Sequence, residues 1–110
     1  MSLINKYKIM WLIVFFDLPT ETDKARRAYT LFRKRIMKDG FTMMQFSVYT
    51  RHCASRENAE VHRKRVQHSL PDEGLVSILS ITDKQFGEIK NFWGKKREKA
   101  APQPSQLELF

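Results

Sequence analysis

Asp17 is the residue in this chain best placed for chemistry. It ends the uninterrupted apolar run Ile9-Met10-Trp11-Leu12-Ile13-Val14-Phe15-Phe16 and precedes Leu18-Pro19. A carboxylate at the end of an apolar strand sits where sheet proteins gather ligands. One carboxylate holds magnesium poorly. Two copies of Asp17 facing across a twofold axis would instead share a hard divalent cation, which relieves their repulsion and organises water against a phosphodiester. The competing reading is local, since an Asp close before Pro also shapes turns. His52, His62 and His68 raise a second chemistry, in which one imidazole takes a ribose 2′-hydroxyl proton and another protonates the leaving oxygen. Their placement argues against it: His62 and His68 stand six residues apart, on opposed faces of a helical segment, and His52 lies at a strand end. Structural or surface roles are expected for all three. The sequence holds no Gly-rich phosphate loop, no Cys/His cluster and no His-Glu-x-x-His. Nucleotide hydrolysis on a phosphate loop and zinc hydrolysis are thereby excluded.

Charge points to the partner. Twenty Lys and Arg against twelve Asp and Glu give a formal +8 on 110 residues, which favours a polyanion over a small neutral substrate. The cations fall in arcs: Arg26-Arg27, Arg33-Lys34-Arg35, Arg63-Lys64-Arg65 and Lys95-Lys96-Arg97. Each arc alone is an ordinary solvated face, but their sum is the signal, and Arg26, Arg27, Arg33 and Lys34 are the candidates for phosphate contact. Cys53 is the single cysteine. It has no disulfide partner and no second thiol for a metal knuckle, so it reads as a small structural residue in a reducing cytoplasm. The apolar run at Ile9 is about half of what a membrane helix needs, so no membrane association is expected.

These groups must be positioned by a single small domain. The run Ile9 to Phe16 has no alternation and is rich in β-branched and aromatic residues, which predicts a central strand covered on both faces. Thr20-Glu21-Thr22-Asp23 supplies capping chemistry for a helix over about 22–38, stopped by Gly40. Ala25, Ala28, Tyr29, Phe32 and Ile36 form its packing stripe, with the basic residues mainly on the remaining arc. Phe41 to His52 is β-prone and too long for one strand, so a turn or bulge near Gln45 to Ser47 divides it. Ser55 caps a second helix to about Leu70, whose thin stripe is Ala59, Val66 and Leu70 with His62 beside it. Leu75 to Ile81 is a further strand, and Thr82-Asp83 cap a short helix carrying Phe86, Ile89, Phe92 and Trp93. Residues 1–94 thus form the domain. Residues 95–110 form a basic, Pro/Gln-containing linker ending in the apolar segment Leu107-Glu108-Leu109-Phe110.

The order strand, helix, strand, strand, helix, strand is the α+β, ferredoxin-like βαββαβ pattern, with helices on one face of an antiparallel sheet. The first strand is apolar at both parities, so the helix-free face also needs cover, and a twofold partner is the simplest one. Exposed aromatics on such a sheet would suit a module that stacks single-stranded RNA bases, and Phe41 and Tyr49 share the parity that this requires. The basic-Gly-aromatic signature of RNA-recognition sheets is absent, however.

Four ordered motifs carry a family resemblance: Val14-Phe15-Phe16-Asp17-Leu18-Pro19, Gln45-Phe46-Ser47-Val48-Tyr49, Leu70-Pro71-Asp72-Glu73-Gly74 and Ile81-Thr82-Asp83-Lys84-Gln85-Phe86. Over about residues 7–93 the chain resembles the second CRISPR-associated (Cas) protein family, small spacer-acquisition proteins, in the variant found beside type II systems. The resemblance implies a ferredoxin-like homodimer that lies between two dimers of the CRISPR integrase and holds the duplex DNA of a captured fragment. It also implies magnesium-dependent endonuclease activity on RNA or DNA, with the metal on the aspartate ending the first strand, here Asp17 from each protomer. A terminal strand that crosses to the partner's sheet is a further implication, and Leu107, Leu109 and Phe110 would form it. A free-standing toxin-like ribonuclease would also be small, basic and dimeric.

Overall fold

The computed structural model describes residues 9–95. Its elements are β1 (Met10–Asp17), α1 (Asp23–Lys38), β2 (Thr42–Gln45), β3 (Val48–Cys53), α2 (Arg56–His68), β4 (Leu75–Thr82) and the short α3 (Asp83–Gly87). The strands form one four-stranded sheet in the order β2-β3-β1-β4. β1 pairs antiparallel with both β3 and β4, and β2 pairs antiparallel with β3. This is the expected α+β, ferredoxin-like arrangement, with the all-apolar strand at its centre. Among the described residues no helix is long and apolar enough to cross a membrane.

Each helix starts where a hydroxyl can take an otherwise unpaired backbone N–H. Thr22 Oγ1 accepts from the Ala25 N–H at 3.0 Å, and Ser55 Oγ accepts from the Asn58 N–H at 3.0 Å. At α3 the exchange is reciprocal: the Gln85 N–H donates to Thr82 Oγ1 at 3.1 Å, and the Thr82 N–H donates to Gln85 Oε1 at 2.9 Å. Gly40 takes φ +96°, the left-handed conformation that turns the chain out of α1. The division of the long β-prone segment falls at Phe46-Ser47, with a register shift between Met43 and Gln45 and with Ser47 at φ +61°. Ser47 is held there by its partners. Its carbonyl accepts from the Phe16 N–H at 3.1 Å, and its hydroxyl shares a hydrogen bond with the Tyr29 hydroxyl at 3.1 Å.

The core lies on the helical side. Met10, Leu12, Val14 and Phe16 of β1 are buried there with Tyr49 and Cys53 of β3, Phe32 and Ile36 of α1, and Ala59 and Val66 of α2. Phe16 packs edge-on against Phe32, with centroids 5.1 Å apart.

Three local expectations are corrected. α2 ends at His68, so Leu70 falls beyond it and is 46% exposed instead of completing the Ala59 and Val66 stripe. α3 stops at Gly87, which leaves Ile89, Phe92 and Trp93 off the helix and Phe92 87% exposed. Phe41 and Tyr49 do not form a stacking platform, because both are buried in the core. Leu107, Leu109 and Phe110, expected as a docked terminal strand, lie outside the described residues, as does all but the first residue of the 95–110 segment.

The β1 end that carries Asp17 is fixed by a close approach. Gly74 has φ +103°, and a Cβ there would stand 2.5 Å from Leu18 Cδ2 and 2.9 Å from the Asp17 carbonyl oxygen. Leu18 is itself buried. Gly74→Ala therefore meets both a disfavoured backbone conformation and a clash, and is expected to cost roughly 1–3 kcal/mol. Chemical denaturation measures this, and an unshifted midpoint would refute it.

Candidate metal and nucleic-acid site

Side chains alternate across a strand, so Asp17 shares a face with Trp11, Ile13 and Phe15, opposite the core. Register adds Leu75 beside Asp17, Ser77 and Val48 beside Phe15, and Leu79 and Thr50 beside Ile13. This helix-free face is covered at one end only. Phe86 of α3 stacks on Trp11 at 3.7 Å between centroids, and the Trp11 indole N–H donates to Asp83 Oδ1 at 2.7 Å. Towards Asp17 the cover ends: Phe15 is 43%, Leu79 49% and Leu75 68% exposed. Asp17 is exposed beside them.

Among the described residues no group of three or more His, Cys, Asp or Glu could hold a metal. One protomer therefore offers a single strand-terminal carboxylate. That donor is hard and accessible, which suits magnesium's preference for oxygen and for keeping several waters, but the site is complete only if a second chain supplies another.

The four candidate phosphate contacts separate into two kinds. Arg26 donates to the Thr20 carbonyl at 2.9 Å and pairs with Asp23. Arg33 Nε donates to the buried Tyr49 hydroxyl at 2.8 Å. Burial raises the Tyr49 phenol while the Arg33 charge and hydrogen bond oppose the rise, so the phenol stays neutral at physiological pH and accepts. Arg27 and Lys34 are exposed on an arc of α1 about a quarter turn away from Arg26 and Arg33.

The three histidines do not converge. His52 packs edge-on against Trp11 on the helix-free face, with centroids 5.2 Å apart. His62 is buried on the helical side, and His68 is exposed in the last turn of α2. Burial raises the Cys53 thiol against the weaker opposing effect of Arg51, which fits the structural role expected of that residue.

Sequence reading missed one cluster. His62 Nδ1 lies 2.7 Å from Asp39 Oδ2, and Arg65 Nη1 donates to Asp39 Oδ1 at 2.9 Å. Arg51 Nε also donates to the Asp39 carbonyl at 2.7 Å. Asp39 thereby joins the end of α1 to α2 and β3. The only local signal was an acid just before Gly40, which reads as a helix stop.

The chain matches the sequence model of the family CRISPR associated protein Cas2 over residues 10–89. It belongs to the Cas2 family. A Cas2 relative from Parvibaculum lavamentivorans is 61% identical over 92% of this chain and 100% of its own length. One from Flavobacterium psychrophilum is 54% identical over 97% of this chain and 93% of its own. Both relatives are named CRISPR-associated endoribonuclease Cas2. A solved chain described as "Crystal structure of cas2" shares the fold with a TM-score of 0.51 and 21% identity, covering 86% of this chain and 95% of the other.

In this Cas2 protein the Asp39 carboxyl is raised by burial, but hydrogen bonds from His62 and Arg65, together with their charges, outweigh that and hold it below its usual range. A carboxyl more acidic folded than unfolded stabilises the fold above the ordinary carboxylate range, and that contribution is lost as pH falls through the folded-state value. Melting temperature is expected to decline below about pH 4. Asp39→Asn should lower it at pH 7 and flatten the acid-side decline. Parallel pH profiles for the two proteins would refute this linkage.

Proposed function

We propose that this chain works as a homodimer in CRISPR adaptation, bridging the CRISPR integrase and holding the duplex DNA fragment to be integrated. One observation carries the reading: the helix-free face of the sheet is left open along Phe15, Leu75 and Leu79 while the core side buries its apolar residues. A contiguous exposed apolar patch on a small domain marks an interface. Twofold pairing covers the same patch on both copies at once. A surface of formal charge +8 supplies affinity for duplex DNA that is electrostatic and weakly dependent on sequence.

The placement of Asp17 favours a second activity, magnesium-dependent phosphodiester cleavage; the relatives' name, endoribonuclease, speaks for cleavage of RNA. Because Asp17 shares the exposed face, pairing brings the Asp17 of each copy into one interface and supplies the second carboxylate that one protomer lacks. When bound there, magnesium would neutralise phosphate charge and acidify water. Asp17 would hold the ion, and the surrounding Phe15 and Leu75 would limit competing water. Cleavage at that site is a property of the dimer alone, since each copy brings a single strand-terminal carboxylate to it.

Light scattering on the full chain at micromolar concentration should give the dimer mass, and Leu79→Glu should shift it to the monomer. A monodisperse wild-type monomer would overturn the dimer reading. Asp17→Asn should abolish magnesium-dependent cleavage without changing the melting temperature or the dimer, and should leave integration by a CRISPR integrase intact. Full cleavage by the variant would exclude Asp17 as the metal ligand, whereas loss of integration would overturn the scaffold reading.

A further inference from the structure

A basic cleft opens between the last turn of α1 and the last turn of α2, away from Asp17 and from the open sheet face. Arg35 and Lys38 line one side, Arg65, His68 and Ser69 line the other, and Ile36 and Val66 contribute to its lining. The one acid among these lining residues, Asp39, is engaged by Arg65 and His62 through its two oxygens. Three permanent cations thus face a single carboxylate. Among the described residues neither Arg35 nor Lys38 has a side-chain hydrogen bond or ion pair. Lys34 and Lys38 also stand four apart on α1, where like charges repel.

Such an arrangement is favourable in isolation only through the carbonyl ends of the two helices, which attract cations near the last turn. It becomes strongly favourable when an anion enters. The cations also continue along α1: Arg27, Lys34 and Lys38 fall on one arc, and the eleven helical steps from Arg27 to Lys38 rise about 16 Å. A compact anion would use only the cleft end of that track. Duplex DNA, with a charge about every 1.7 Å of axis, meets it along its length.

We propose that the α1–α2 cleft is a backbone-phosphate site for duplex DNA, with Arg35 and Lys38 as its contacting cations and Arg65 held in place by Asp39. The proposal rests on the nucleic-acid reading above and names where on the helical side that contact is made. It moves the phosphate surface away from Arg26 and Arg33, whose guanidinium groups are engaged by Asp23 and Thr20 and by Tyr49 respectively.

The test is the salt dependence of duplex DNA binding by the full chain, measured by fluorescence anisotropy in EDTA so that no cleavage intervenes. Arg35→Ala with Lys38→Ala should reduce the slope of log K against log salt by about 1.8, or about 0.9 for each phosphate that the protein no longer neutralises. Lys84→Ala with Lys90→Ala removes the same charge from exposed positions in and after α3, and should leave the slope unchanged. An unaltered slope for the cleft variant overturns the proposal, as does an equal fall in the control, which would make the effect one of net charge. A lowered melting temperature with an unaltered slope would assign Arg35 and Lys38 to helix-end stabilisation instead. If the wild-type protein binds no duplex, the nucleic-acid reading itself fails, an outcome distinct from failure of the cleft alone.

Discussion

The structure depends on burying one side of β1 beneath two helices. Among the described strands it alone is paired along most of its length on both edges, with β3 and β4, and its even-numbered residues form the centre of the core. The helices cover that side because α1 and α2 each offer one apolar stripe. Among the described residues nothing of comparable size covers the other side. α3 reaches it at the Trp11 end, through a ring stack and one indole hydrogen bond. The outward residues of β1 and β4 are left partly exposed there, with Phe15 at 43% and Leu79 at 49%.

Asp17 takes its interest from the same open side. A carboxylate at the end of an ordinary edge strand would point into water with no companion. Here it ends the strand whose other face is open, beside the exposed Phe15 and Leu75. The surrounding backbone holds the position firmly: Phe16 is tied to the Ser47 turn, and Gly74 allows the chain before β4 to approach Asp17 and Leu18 closely. The Val14 to Pro19, Gln45 to Tyr49 and Leu70 to Gly74 motifs, far apart in sequence, are in this way brought to one end of the sheet.

The charges divide by engagement. Some cations are consumed internally, as Arg51 and Arg65 are by Asp39 and Arg33 is by Tyr49. Others, such as Arg27, Arg35 and Lys38, face solvent from α1. Net charge reports their sum, but only the second group is available to a polyanion. A basic residue held by a buried partner contributes long-range attraction and little local contact, so the distinction bears directly on where nucleic acid can lie.

Much of this was legible in the residues. The apolar run and its abrupt end at Asp17-Leu18-Pro19, the hydroxyl caps at Thr22, Ser55 and Thr82, and the glycine stop at Gly40 are local features, and local chemistry places element ends. The antiparallel sheet followed from element order, and Asp17 stood out because it interrupts a long apolar stretch. What could not be read were the long-range pairings. Asp39 with His62 and Arg65 joins residues more than twenty positions apart, and no periodicity marks it. Whether the Arg33 guanidinium is engaged depends on where Tyr49 sits across the core. Tyr49 and Phe41 look alike as core residues or as exposed stacking rings until the pleat assigns them a face, and Leu70 belongs to its helix stripe only if the helix lasts two residues longer. Sequence spacing fixes which residues share a strand or helix face; the tertiary packing decides which face meets the core, because burial is a property of the neighbours that arrive from elsewhere in the chain.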